Sequence, residues 1–181
     1  MHARAAELIE TLGLEPHPEG GRYRRAYTSA TSLAYAAARR PITTAIHYLL
    51  CSGEISRWHR IDADEIWQHH EGDAFELMLF DAATSKLERH RLGRSDAATA
   101  TQPLVGVPAG IWQAARPLGD YALVGCSVAP GFDFAGFALL DADAAALEAL
   151  TQAAADLLTY RRTDTLSYLT GRHRSQQRAA H

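Results

Sequence analysis

The chain has 181 residues, a length typical of one domain. Hydrophobic residues make up 47% of it and charged residues 22%, which excludes a collagen, a coiled coil and a wholly disordered chain. The formal net charge of −3 gives no reason to expect a nucleic-acid partner. The longest apolar runs are far shorter than the roughly 20 residues that a membrane-spanning helix needs, so we expect no membrane partner.

The N-terminus and the cysteines indicate the compartment. Residues 1–13 have the pattern of an amphipathic helix and lack the apolar core of a signal peptide. Cys51 and Cys126 are too few for a disulfide framework, and without a secretion signal we expect both to be reduced. The sequence therefore predicts a cytoplasmic protein.

The first forty residues combine a helix, a loop and a strand. Residues 3–13 are predicted to be helical up to Gly13. Two prolines and a glycine pair in residues 16–21 exclude both a helix and a central strand. Residues 22–28 favour a strand, whereas residues 30–40 are compatible with a loop or a short helix.

A series of short β-like segments follows, separated by turn signals. Many short strands at regular spacing indicate an antiparallel sandwich or barrel. No intervening segment is long enough for repeated βαβ units. The segments cover residues 42–50, 55–61, 65–70, 75–81, 87–93, 104–108, 111–115 and 121–129.

The composition changes at Asp141, which divides the chain into an all-β domain of residues 1–140 and a helical extension of residues 141–181. Asp143 is a candidate N-cap, and leucines follow it near helical spacing. We expect a helix of four to five turns packed on the barrel. The polar, basic residues 172–181 are expected to form a mobile end.

Histidine is concentrated in one part of the chain, because four of the nine lie between residues 47 and 70. Side chains alternate between the two faces of a strand, so residues of equal parity in paired strands 57–61 and 65–69 can share the inward face. These residues are His59, Glu65, Trp67 and His69. His47 is a further candidate if its side chain points inward.

A third strand extends this group. In a closed barrel, the tight turn at residues 108–110 can bring Gln113 opposite His59 and Glu65. Burial in an apolar barrel raises the pKa of a glutamate unless a partner supports its charge, and His59 would be such a partner. A His–Glu pair in a pocket is a plausible general acid/base for moving a proton on carbon.

Two segments of the chain resemble the two cupin motifs. The first motif, G-x5-H-x-H-x3,4-E-x6-G, is matched between residues 53 and 72, with Ile61 in the place of the second histidine. The second motif, P-x-G-x2-H, is similar to residues 108–113, with Gln113 in the place of the histidine. Both departures fall on metal-ligand positions of the motifs.

The chain is most similar to the branch of the cupin superfamily known as Cupin_5 or DUF985. The resemblance extends from Leu12 to Phe137 and includes five segments in the order of the family. These segments are PHPEGGRYRRAY (16–27), TAIHYLL (44–50), GEISRWHRIDADEIWQHHEGD (53–73), VPAGIWQAA (107–115) and LVGCSVAPGFDF (123–134).

The resemblance implies a double-stranded β-helix, the cupin jelly roll, with a ligand pocket inside one end and a homodimeric assembly. It also implies a divalent metal such as Zn, Mn, Fe or Ni, with His59, Glu65 and Gln113 at ligand positions. Ile61 cannot ligate a metal, however, and a glutamine carbonyl is a weak ligand. The alternatives of a metal site and a metal-free acid/base site are therefore both open.

The loop of residues 17–21 has two interpretations. It is either a rigid turn that routes the chain into the first strand or a pocket rim, since paired glycines allow close backbone approach. In the second case the loop supplies ligand-binding residues, in addition to those inside the barrel. The ligand-binding candidates are His17, Glu19, Arg22, His47, Trp67, His69 and Gln113.

Three functions remain compatible with this sequence. The first is an epimerase- or isomerase-like enzyme that acts on a sugar-like or other polar ring compound, with His59 and Glu65 as the acid/base pair. The second is a non-catalytic, dimeric barrel that binds a small molecule. The third is a weakly metal-dependent cupin enzyme, which the replaced ligands at Ile61 and Gln113 disfavour.

Overall fold

The computed structural model describes residues 1–36 and 38–161. Within them lie the α-helices α1 (Ala3–Leu12) and α2 (Ala144–Ala154) and 3-10 helices at Phe134–Gly136, Leu140–Ala142 and Ala155–Arg161. The strands are β1 (Glu15–Pro16), β2 (Arg22–Thr28), β3 (Ser32–Tyr35), β4 (Ala38–Pro41), β5 (Thr44–Cys51), β6 (Ser56–Arg60), β7 (Asp64–Gly72), β8 (Phe75–Asp81), β9 (Lys86–Leu92), β10 (Leu104–Val107), β11 (Trp112–Pro117), β12 (Tyr121–Ala129) and β13 (Ala138–Leu139).

Two antiparallel sheets pack face to face and confirm the expected all-β jelly roll. One sheet has the strand order β1-β2-β5-β12-β7-β10, and the other has the order β13-β6-β11-β8-β9. Strands β3 and β4 form a separate ribbon, where the sequence favoured a loop or a short helix. The inner faces of the two sheets meet in an apolar core that includes the fully buried Tyr48, Trp67, Phe75 and Leu77.

The five-stranded sheet is covered on both faces. On β8, Leu77 faces the other sheet, whereas Met78 and Phe80 face a second cluster that contains Leu150 of α2. The indole N–H of Trp58 donates a hydrogen bond of 3.0 Å to the carbonyl oxygen of Leu157 in the 3-10 helix after α2. The C-terminal extension is thus attached to the outer face of this sheet.

The extension is less regular than the sequence indicated. Asp143 caps α2, because its carboxylate accepts a hydrogen bond of 3.0 Å from the amide of Ala146. The α-helix ends at Ala154 and continues as a 3-10 helix to residue 161. The predicted basic end, residues 172–181, lies outside the described residues.

Helix α1 covers the outer face of the six-stranded sheet at one end. It ends where predicted, since Gly13 has a φ of 60° and its amide donates to the carbonyl oxygen of Glu10. Leu8 packs in a cluster with Leu49 and Leu123 of the sheet. In the described part of the chain, no helix is long and apolar enough to cross a membrane.

Candidate functional site

A cavity opens between the two sheets at one end of the barrel, with a polar side and an aromatic side. The polar side comprises His17, Glu19, His59 and Glu65. The aromatic side comprises Tyr23, Phe132, Phe134 and Phe137. Flat apolar walls beside a few convergent polar groups are typical of small-molecule sites.

The loop before β2 carries Glu19 into the interior. Gly21 has a φ of 65°, and a Cβ atom there would lie 2.7 Å from a backbone oxygen of β5, so this close approach requires glycine. The Arg57 amide donates to the Glu19 carbonyl oxygen at 2.8 Å, and the Tyr48 hydroxyl donates to the Gly20 carbonyl oxygen at 2.8 Å. Glu19 is only 6% exposed, so it belongs to the interior of the cavity and not to a rim.

A bulge in β6 turns both Ser56 and His59 towards Glu19. Along this pair of strands Gln113 lies opposite His59, but Ala115 lies opposite Ser56, so β6 has one extra residue. Bulges of this kind re-aim side chains. The Ser56 hydroxyl donates to Glu19 Oε1 at 2.9 Å, and His59 Nε2 lies 3.2 Å from Glu19 Oε2.

The second ring nitrogen of His59 fixes its tautomer. Nδ1 lies 2.7 Å from the carbonyl oxygen of Arg57, which can only accept a hydrogen bond. The proton of the neutral ring is therefore on Nδ1, and Nε2 presents its lone pair to Glu19. Phe137 stacks on the imidazole with ring centroids 5.6 Å apart, which further restricts the orientation of the ring.

Burial shifts the pKa values of both partners in the directions that favour their neutral forms. Burial raises the pKa of Glu19, although His17 and the hydrogen bond from Ser56 oppose this shift. Burial also lowers the pKa of His59, with Glu65 acting in the opposite direction. A neutral carboxyl that donates to a neutral imidazole satisfies both tendencies, so the pair holds one proton between Glu19 and His59.

Glu65 is a second buried acid on the opposite sheet. Its burial raises its pKa to about 7, with His59 as the main opposing influence. Gln113 Nε2 donates to Glu65 Oε2 at 2.6 Å, and the indole N–H of Trp67 donates to Gln113 Oε1 at 2.9 Å. Because the indole can only donate, the orientation of the amide is fixed, and Gln113 holds Glu65 in place.

The donor atoms around the cavity do not fit the metal centre that the family resemblance implies. The carbonyl oxygen of Gln113 accepts from Trp67, so the atom that could ligate a metal is turned away from Glu65. Ile61 lines the cavity and has no donor atom. Across residues 1–36 and 38–161, no group of three or more His, Cys, Asp or Glu side chains could hold a metal ion. His59 is instead paired with Glu19, and Gln113 is hydrogen-bonded to Glu65 on the other sheet.

Five of the seven expected ligand-binding residues do not line this cavity, namely Arg22, His47, Trp67, His69 and Gln113. The Arg22 guanidinium donates to the Glu54 carboxylate at 2.8 Å. His47 lies on the outer face of the six-stranded sheet, because its neighbour Ile46 faces the cavity and side chains alternate along β5. The His47 ring there lies 6.1 Å from that of His70.

His69 and Trp67 also differ from expectation. His69 shares the parity of Glu65 but lies four residues further along β7, about 13 Å at the usual rise per residue. There its Nε2 is 3.1 Å from the Asp73 carbonyl oxygen, away from the cavity. Trp67 is 1% exposed and acts on the site through Gln113, whereas His17 lines the cavity directly.

The structure adds residues to the site that the sequence interpretation left out. Arg25 lines the cavity two positions after Tyr23 on β2, and the inward parity of that strand could have revealed it. The buried thiol of Cys126 also lines the cavity. The position of Ser56 depends on the bulge in β6, for which the sequence contains no signal.

The jelly roll and its enclosed site define a small-molecule-binding cupin. The family model described as Cupin superfamily (DUF985), Cupin_5, matches residues 6–140, and the chain belongs to this family. The resemblance stated from the sequence motifs is thereby confirmed.

Two solved structures share this fold over most of both chains. A protein from Shewanella oneidensis is 38% identical, with 75% of this chain and 83% of that chain covered and a TM-score of 0.68. A hypothetical protein from Leishmania major is 28% identical, with coverage of 74% and 85% and a TM-score of 0.68. No curated protein matches this chain.

The fold is also similar to that of oxalate decarboxylase from Bacillus subtilis. That enzyme is 15% identical, with a TM-score of 0.53, and the match covers 69% of this chain and 29% of the enzyme. At this identity the likeness concerns the fold alone.

Proposed function

We propose that this cupin is an epimerase- or isomerase-like enzyme that moves a proton on carbon in a small polar ring compound. The observation that carries the proposal is the buried Glu19–His59 pair, 3.2 Å apart at the surface of the cavity. When the shared proton moves to His59 Nε2, the Glu19 carboxylate can accept a proton from the substrate, and the loss of a proton from Glu65 keeps the net charge of the cavity unchanged.

The acidic groups lie on both sides of the cavity, which supports a reaction with an acid and a base on opposite sides of the substrate. The Glu19–His59 pair lies at β6 of one sheet, and Glu65 lies on β7 of the other. In the proposed reaction the pair accepts the proton of a C–H bond next to a carbonyl group. Glu65, with a pKa of about 7, donates its proton to the carbonyl oxygen. Return of a proton to carbon and of a proton to Glu65 restores the enzyme.

The aromatic side of the cavity supports a ring-shaped substrate. The rings of Phe132 and Phe134 meet edge to face with centroids 4.9 Å apart, and Phe137 stacks on His59. A flat ligand placed against these faces gains apolar contact while its polar edge meets the acids. The sequence expectation of a sugar-like or other polar ring compound therefore remains the proposal.

Native mass spectrometry of protein from its own host, followed by exchange in deuterated water, tests the function. We expect a co-purified metabolite to gain deuterium at one carbon when it is incubated with the enzyme. Glu19→Gln and His59→Asn should both abolish this exchange. His47→Asn is the matched control, because His47 lies on the outer face, and it should exchange normally. Binding without exchange would identify a non-catalytic ligand-binding barrel instead.

We also propose that the protein is a homodimer. Strand β1 pairs only with Arg22 and Tyr23, so residues 24–28 form an edge with no strand beside it in the described part of the chain. Exposed strand edges favour pairing with another chain. Light scattering should give twice the chain mass of 19.8 kDa. A mass of one chain at micromolar concentration would contradict the proposal.

A further inference from the structure

Arg25 brings a positive charge to the cavity from strand β2. Tyr23 and Arg25 share the inward parity of this strand, and both line the cavity. The pairing with β5 is regular up to Arg25, opposite Ile46, and shifts before Tyr27. The irregularity ends the alternation of side chains just after Arg25, an exposed residue that lines the cavity, so its guanidinium lies at the cavity mouth.

No carboxylate pairs with Arg25 among residues 1–36 and 38–161, and the side chain makes no hydrogen bond within that part of the chain. Seven other arginines of the described residues do have a carboxylate oxygen within 4.0 Å of a guanidinium nitrogen. Among these pairs are Arg4–Glu71, Arg22–Glu54 and Arg40–Asp62, with N–O distances of 2.7, 2.8 and 2.7 Å. Arg25 thus differs from them in facing a cavity without a counter-ion.

The acids of the cavity do not supply that counter-ion either. Burial raises the pKa of both Glu19 and Glu65, so both favour the neutral carboxyl form more than an exposed glutamate does. A guanidinium, by contrast, remains charged at any ordinary pH. The cavity therefore contains acids that are neutral or share a proton, and the Arg25 guanidinium at its mouth carries a permanent positive charge.

We propose that Arg25 determines the specificity of the cavity and that the ligand carries an oxyanion, a carboxylate or a phosphate, which the guanidinium binds. The planar fork of a guanidinium matches two oxygens of either group. This inference deepens the proposed function, on which it rests, because it assigns a charge to the ring compound that reaches the acid/base groups.

The position of Arg25 also sets a minimum size for that ligand. Strands β2 and β7 are separated by three strand spacings, about 14 Å along the sheet. The arginine side chain spans only part of this distance. A ligand that touches both Arg25 and Glu65 is therefore a ring with a pendant oxyanion, and not a lone inorganic anion.

Calorimetric titration with three ring compounds tests the proposal without any knowledge of the natural substrate. The probes are benzoate, phenyl phosphate and the uncharged benzamide. We expect at least one anion to bind at millimolar concentration and more tightly than benzamide, and the preferred anion separates a carboxylate site from a phosphate site. Arg25→Gln should weaken the binding of that anion at least tenfold, which corresponds to about 1.4 kcal/mol.

The neighbouring Arg24 provides the matched control. Arg24→Gln makes the same change of charge on the same strand, but Arg24 does not line the cavity and lies 4.0 Å from Glu15. It should leave anion binding unchanged, and Arg25→Lys should show an intermediate affinity. Equal binding by Arg25→Gln and the unsubstituted protein, an equal loss in Arg24→Gln, or no binding of either anion would overturn the proposal. Anion binding through Arg25 without substrate exchange would leave it standing and overturn the proposed catalysis.

Discussion

The space between the two sheets holds opposite chemistry at its two ends. On β12, the inward residues Ala122 and Val124 belong to the apolar core, Cys126 belongs to that core and also lines the cavity, and Val128 lines the cavity. Strand β7 changes more sharply, from the fully buried Trp67 to the acid Glu65 two residues earlier. The same strands thus build a close-packed end and an end that contains ionisable groups.

This contrast separates stability from function. Burial of apolar side chains at the core end stabilises the fold by about 25 cal/mol per Å². Burial of ionisable groups at the cavity end costs stability, and the displaced pKa values of Glu19, His59 and Glu65 express that cost. Substitutions at the two ends should therefore have different effects, in an order of size that the structure predicts.

The largest loss of stability is expected at the core end. Leu77 is fully buried, and Leu77→Ala should lower the free energy of unfolding by about 2–5 kcal/mol, because it leaves a cavity. Urea denaturation measures this effect, while binding at the cavity should remain. Leu104→Ala is the control, since Leu104 is 47% exposed and the change should stay within about 0.5 kcal/mol. Equal losses of unfolding free energy in Leu77→Ala and Leu104→Ala would contradict the expectation that the buried core end determines stability.

The next largest effect is expected for Glu19→Gln, which should act on catalysis rather than on stability. The amide keeps an acceptor for Ser56 and a donor towards His59, but it cannot carry the shared proton. Deuterium exchange should fall about 100-fold or more, the usual contribution of acid/base catalysis. The free energy of unfolding should change by less than about 1 kcal/mol. A large fall in stability with normal exchange would make Glu19 a structural residue.

A smaller effect is expected in the pH dependence of stability at the cavity end. The pKa of Glu65 is about 7 in the fold and near 4.5 when exposed, so the folded chain holds this proton more tightly. Its contribution is fully present below pH about 4.5 and is lost as the pH rises to about 7 and beyond. Over that range the free energy of unfolding should fall by roughly 2–3 kcal/mol relative to Glu65→Gln.

Thermal denaturation of both proteins at a series of pH values measures the difference. The pKa of His59 is lowered from 6.5, so this residue also contributes to the pH dependence of stability. Because His59 is present in both proteins, the difference between their stability curves reports chiefly on Glu65. Parallel curves would mean that Glu65 is ionised in the fold at much lower pH. The amide of Gln113, which donates to Glu65, would then stabilise its charged form.

The sequence predicted the site as far as strand parity and family motifs reach. His59, Glu65 and Gln113 follow from period-two alternation and from the motif spacing, and Gln113 does contact Glu65. Glu19 was named as a binding residue, but its burial depends on the close approach that Gly21 allows, which is a tertiary contact. The interpretation of this loop as a pocket rim would leave Glu19 near the surface, whereas its side chain is buried.

Two further features of the site, the bulge in β6 and the outward position of His47, could not be predicted from the local sequence pattern. The bulge in β6 that aims Ser56 at Glu19 arises from the register with β11. His47 was a candidate only because its strand was assigned no inner face, and the pairing of β5 with β12 supplies that face. Pairing between distant strands decides both cases, and one sequence without its register does not determine it.

The smallest expected effect concerns the outer face of the five-stranded sheet, where a single hydrogen bond of Trp58 contributes to stability. Trp58→Phe keeps most of the apolar contact with the C-terminal cluster but removes the indole donor to the Leu157 carbonyl oxygen. Loss of one hydrogen bond should lower the free energy of unfolding by about 1 kcal/mol, measured by urea denaturation. Deuterium exchange should be unaffected, although His59 is the next residue, because Trp58 and His59 point to opposite sides of β6. If exchange falls with stability in this variant, then the outer cluster positions His59, and the two ends of the barrel do not act separately.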